Sequence, residues 1–140
     1  MNWPHHILAV VQSDLQMIFA LRRFLESIGF PSLSVARNEQ EAVLYLRGVG
    51  VYENRMKYPA PSILVLDSDS RDGCDLEVLA WVRTHPGYAD VPVIFLCRDN
   101  NLNLRATSAL DNHCFLVDRA NFKELADALQ VVSQREVIEA

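Results

Sequence analysis

Short apolar runs alternate with amphipathic stretches five times along the chain. HILAVV, from His6 to Val11, reads as a first strand buried on both faces, because no polar residue interrupts it after His6. Ser13 then opens a helix, with Gln16 placed for a capping box; Ile18, Leu21, Leu25 and Ile28 form its apolar stripe and Gly29 its stop. Leu33–Ala36 is a short second strand. Asn38 caps a second helix with Glu41 as its box partner, and Ala42, Leu44 and Leu46 are among its apolar residues. Residues 48–61 form a long loop bounded by turn formers.

The third strand is Ser62–Leu66, and Asp75 is expected to cap a third helix carrying Leu76, Leu79, Ala80 and Val82. Pro92–Cys97 is the fourth strand, and Leu102–Leu110 a weakly amphipathic fourth helix. Cys114–Val117 is the fifth strand. Asn121 and Glu124 box the start of the last helix, whose face is Phe122, Leu125, Leu129 and Val132, with a polar extension from Ser133. Continuous apolar strands alternating with helices imply an α/β fold. The expected architecture is a doubly wound, five-stranded parallel sheet, (βα)5, of order 2-1-3-4-5, flavodoxin-like. One domain accounts for all 140 residues, with its core over 6–132.

Composition narrows the chemistry. Half of the residues are hydrophobic and the net charge is −5, without a basic stripe, which argues against nucleic acid and anionic membranes as partners. No run approaches the ~20 apolar residues of a membrane span, and no signal peptide is evident at the start, so a cytoplasmic protein is expected. Cys74, Cys97 and Cys114 make no CxxC pair, and the four histidines are scattered, so neither a disulfide framework nor a zinc site is expected. Cys97 and Cys114 read as small buried hydrophobes, with a redox role for Cys74 or Cys97 as the alternative.

The stretch SILVLDSDSRDG carries the chemistry. Asp67 ends a buried strand, where a carboxylate is costly unless something uses it. In this fold the strand ends carrying Val11, Gln12, Asp67, Cys97 and Asp118 converge on one site. Asp69, Asp72 and Gly73 read as turn formers. ILVLDSDS is also similar to the DxD motif of haloacid-dehalogenase phosphatases, in which the first aspartate is a nucleophile. Those enzymes place the motif near the start of the chain and need a downstream lysine that is missing here, so an aspartate-nucleophile phosphatase is the remote alternative.

On ILAVVQSD, SILVLD, VPVIFLC and HCFLVD, the chain resembles a response-regulator receiver domain from about His6 to Val132. The 48–61 loop is similar to that of single-domain receivers paired with phytochrome-type kinases. The resemblance implies that Asp67 stands at the phosphoacceptor position, Cys97 at the switch hydroxyl, Asp118 at the lysine and Phe115 at the switch aromatic. Val11 and Gln12 stand where two magnesium-binding carboxylates are expected, leaving Asp67, with Gln12, as a weak or lost metal site. Magnesium is therefore expected to bind weakly, and no cofactor is required.

Asp14 reads as a first-turn acid that favours the helix dipole. An aspartate in place of the lysine would set two like charges near each other, repelling by about 4 kcal/mol at ~4 Å. Arg71, Arg98 or Arg119 remain as substitute cations. The resemblance thus implies a non-enzymatic, atypical receiver in two-component signalling that acts by protein–protein contact. Its expected partners are a sensor histidine kinase, another signalling protein, or a second copy bound through the last two strand–helix units. With no effector domain following, output is expected to pass through such a partner. The alternative is a conventional receiver phosphorylated on Asp67.

Overall fold

The computed structural model describes residues 5–12, 14–30, 32–67, 74–97 and 113–139. Five parallel strands, β1 (Ile7–Val10), β2 (Leu33–Ala36), β3 (Ile63–Asp67), β4 (Val93–Cys97) and β5 (Cys114–Asp118), form one sheet of order β2-β1-β3-β4-β5. This is the architecture expected from the strand pattern. The expected fourth helix, Leu102–Leu110, lies outside the described residues, as do Asp69, Arg71, Asp72, Gly73 and Arg98.

Because side chains alternate along a strand, each central strand feeds two cores. Ile7, Ala9, Val11, Ile63, Val65, Ile94 and Leu96 face α1 (Leu15–Ser27) and the C-terminal helix (Phe122–Glu139). Leu8, Val10, Leu64, Leu66, Val93, Phe95 and Cys97 face α2 (Glu39–Arg47) and α3 (Cys74–Arg83). Burying each large side chain contributes about 1.5–3 kcal/mol, so two full faces of such residues hold the sheet between its helices. Among the described residues no helix is long and apolar enough to cross a membrane.

The helix ends differ from expectation where backbone and side chains compete for caps. Asp14, not Ser13, caps α1: its carboxylate accepts from the Met17 amide at 3.0 Å. At the other end Gly29, at φ 95°, lets the Phe30 amide reach Leu25 O and its own amide reach Glu26 O, a Schellman closure. Asn38 caps α2 as expected, accepting from the Glu41 amide at 2.8 Å. In α2, however, Tyr45 is buried and Leu44 is 42% exposed. Asp75 falls inside α3, which begins at Cys74, and Ala80 of that helix faces solvent while Val78 fills the core.

The 48–61 loop is an ordered part of the fold. Gly50–Tyr52 forms a 3-10 turn, and Arg55 folds back to donate to Tyr45 O, Leu46 O and Tyr58 O at 2.8, 2.8 and 3.1 Å. A cation on the last carbonyls of α2 satisfies orphan acceptors and opposes the helix dipole. Gly48, at φ 68°, leaves room for it: a β-carbon there would stand 2.7 Å from Arg55 Nη2. Tyr45 joins this loop to the sheet. Its hydroxyl donates to Pro59 O at 2.9 Å and meets Ser34 Oγ at 2.8 Å and His6 Nε2 at 2.9 Å, while His6 Nδ1 bonds Ser32 Oγ.

Tyr45→Phe would leave several of these buried groups short of a partner and should cost about 1–3 kcal/mol in urea unfolding. Burial also pushes the pKa of His6 below its ordinary 6.5. As pH falls below 6.5 the unfolded chain takes up the proton first, so stability should decline until the folded protein titrates too. The unfolding midpoint of wild type should drop over this window, and His6→Asn should flatten that part of the profile.

Candidate functional site

The chemistry gathers where the carboxyl ends of β1, β3, β4 and β5 meet. Asp67 closes β3 with its side chain only 4% exposed. A carboxylate at that depth requires a countercharge. Arg119 supplies it, from the turn directly after β5. Its Nε donates to Asp67 Oδ1 at 2.9 Å and its Nη2 to Asp67 Oδ2 at 3.1 Å, a forked pair that uses both oxygens. The same Nη2 donates to Asp14 Oδ2 at 2.6 Å.

Asp14 therefore has a larger part than that of a first-turn acid. One oxygen caps α1 and the other joins Arg119. The Met17 amide, then the Arg119 guanidinium, hold the Asp14 carboxyl below its ordinary range. A single guanidinium thus ties the start of α1, the tip of β3 and the β5 turn. Of the three arginines that the sequence left as substitute cations, Arg119 lies against Asp67, and Arg71 and Arg98 lie outside the described residues.

Asp118 does not face Asp67 as a bare like charge. Its carboxylate accepts from the Ala120 amide at 2.9 Å, and its backbone carbonyl accepts from Asn121, making a local turn. The Asp118 amide donates to Glu124 Oε2 at 2.8 Å, so Glu124 braces the strand end and not the cap of its own helix. Arg119 is fixed from behind, since its amide donates to Cys97 O at 2.7 Å. The turn aims the guanidinium at β3.

Cys97 is buried, 2% exposed, on the α2–α3 side of the sheet, and its thiol lies 3.6 Å from Phe95 O of its own strand. A thiol is a weak donor. Phe115 is half-buried against the core formed by α1 and the C-terminal helix. Cys114 is half-buried beside α3, with Arg83 Nη2 3.8 Å from its sulfur.

The magnesium ligands implied by the resemblance do not fit this donor set. Val11 is fully buried in the core, with no side-chain oxygen to offer, and Gln12 is exposed. Among the described residues, the carboxylates of Asp67 and Asp14 are both engaged by a guanidinium. Among the described residues no three His, Cys, Asp or Glu side chains cluster as metal ligands.

No family model matches the chain. It is 29% identical over 99 residues to the response regulator Rcp1 of Synechocystis sp.. That match takes in 70% of this chain and 65% of the relative, just under two thirds of its length. The bacteriophytochrome response regulator RtBRR superposes with a TM-score of 0.74 at 23% identity, over 91% of this chain and 77% of its own. The phosphorylated cyanobacterial phytochrome response regulator RcpA superposes with a TM-score of 0.66 at 25% identity, over 94% and 91%. The fold is that of the CheY-like receiver.

Removing one partner of the fork strands a buried charge. Arg119→Met should destabilise by roughly 2–4 kcal/mol in urea unfolding, reduced from a fully buried pair because Asp14 is partly exposed. Asp14→Ala should cost less, about 1 kcal/mol as for a lost helix cap. In a double-mutant cycle, Arg119→Met and Asp67→Asn should be non-additive by at least about 1 kcal/mol.

Proposed function

We propose that this response-regulator receiver domain is a pseudo-receiver of a two-component pathway, acting by protein–protein contact in a single conformation and not through phosphorylated Asp67. The observation that carries this reading is the Arg119 fork, which occupies both oxygens of Asp67 while also bonding Asp14. Phosphoryl transfer needs a nucleophilic oxygen open to in-line attack and, in this chemistry, a divalent cation to bridge the phosphoryl oxygens. Asp67 is nearly inaccessible and already neutralised, and the carboxylates that would hold the cation are reduced to a valine and a glutamine.

The switching parts support the same reading. A conformational switch needs a group that interacts differently with two states. Here the position of the phosphate-sensing hydroxyl is a thiol bonded within its own strand, and the lysine position is an aspartate committed to a turn. Little free energy is left to move Phe115, which already lies against the core. A sensor histidine kinase, or another protein of the pathway, would then read a fixed surface. That surface is the one formed by β5 and the C-terminal helix, where Leu116 and Lys123 are exposed; a second copy of the chain is the other candidate for it.

One observation favours a conventional phosphoacceptor instead. Arg119 places a cation beside Asp67, which is the electrostatic part that the missing lysine would play. Acetyl phosphate separates the two readings. The pseudo-receiver should show no phosphoaspartate by mass spectrometry in the presence of magnesium, whereas labelling at Asp67 would establish the conventional reading. In parallel, Asp67→Ala should bind the partner kinase as wild type does, and the charge reversal Lys123→Glu should bind it several-fold more weakly. The reverse order would return Asp67 to the centre of signalling.

A further inference from the structure

We infer that Arg119 is the resident cation of this site, and that it keeps divalent metal ions off the Asp14–Asp67 pair. This rests on the pseudo-receiver reading and adds the agent that enforces it. Among the described residues the site lacks the ligands of a strong metal centre, yet it holds two carboxylates that converge from different elements. Asp67 comes from the tip of β3 and Asp14 from the cap of α1. Their Oδ2 atoms flank one nitrogen, Arg119 Nη2, at 3.1 and 2.6 Å, as two ligands flank an ion.

Three features make this nitrogen hard to displace. The guanidinium is charged at every accessible pH and delivers its hydrogen bonds as a rigid fork. It is tethered to the chain, so its effective concentration at the two carboxylates far exceeds that of a free ion. Its backbone is pinned, by the Arg119 amide on Cys97 O and by the Asp118 turn beside it. A metal ion entering with Arg119 in place would meet a like charge at close range. Entering without it would require the side chain, only 16% exposed, to swing out and leave its partners.

Removing the guanidinium while keeping the carboxylates should therefore create metal affinity that wild type does not have. Magnesium and manganese both accept oxygen ligands with the remaining positions filled by water, so two carboxylates suffice for weak binding. The test titrates manganese into wild type, Arg119→Gln and the double variant Arg119→Gln/Asp14→Asn. Binding is read by paramagnetic broadening in NMR and by calorimetry, with circular dichroism to confirm folding. Arg119→Gln should bind manganese at least about tenfold more tightly than wild type, given the charge removed. Adding Asp14→Asn should abolish the gain.

Should Arg119→Gln fail to fold, Arg119→Met keeps the aliphatic stem and serves in its place. Wild type binding manganese as tightly as the variant would overturn the inference, as would a folded variant with no gain. Failure here is distinct from failure of the pseudo-receiver reading. The metal comparison can fail while Asp67 stays unlabelled by acetyl phosphate, and labelling of Asp67 overturns that reading whatever the variants bind.

Discussion

A carboxylate at the tip of a central strand in a doubly wound sheet has to be neutralised within reach of its own neighbours, because water is largely excluded there. Asp67 meets this constraint through Arg119, which lies 52 residues later in the chain, and through the Asp14 carboxylate that shares the same guanidinium. The described turn after β5 and the start of α1 both converge on that contact. The β5 turn is shaped by the Asp118 carboxylate and held to β4 through Cys97 O, which aims the arginine. The start of α1 is tied to it through its cap. One cation thus ties together three segments from distant parts of the sequence.

At the opposite end of the sheet the buried polar groups around His6 are joined by hydrogen bonds. His6, Ser32, Ser34 and Tyr45 pass hydrogen bonds among hydroxyls and an imidazole, ending on Pro59 O. Hydroxyls can turn to donate or accept, so this network tolerates its own ambiguity, but a buried imidazolium would have no carboxylate among these partners. Arg55 stands outside it, on the last carbonyls of α2, where a cation meets partial negative charge and need not be paired with an acid. The two ends therefore answer acid differently: the His6 end loses stability first, near neutrality, and the Asp14 end only in the acid range.

The residues at the site act as a set. The Asp118 carboxylate accepts from the Ala120 amide and shapes the turn after β5. That turn carries Arg119 to Asp67 and Asp14. Val11, directly after β1, completes the core beneath α1. Among the described residues, the result is a site in which one guanidinium is shared by two carboxylates.

Sequence alone determined the parts that depend on local pattern. Five short, largely apolar runs, and the helical stripes between them, pointed to the parallel sheet and its order, because a sheet covered on both faces buries such strands. Asn38 and Gly29 were legible as helix ends, since caps act over three or four residues. What only the tertiary structure decided were the partners of long-range charges. Asp14 was visible as a helix-opening acid, yet its bond to Arg119 spans 105 residues. Bringing Arg119 to Asp67, and setting the Asp118 carboxylate on the Ala120 amide, depended on the path of the chain after β5. A charge interacts through space and leaves no period in the sequence, so the fold had to place it before its role could be read.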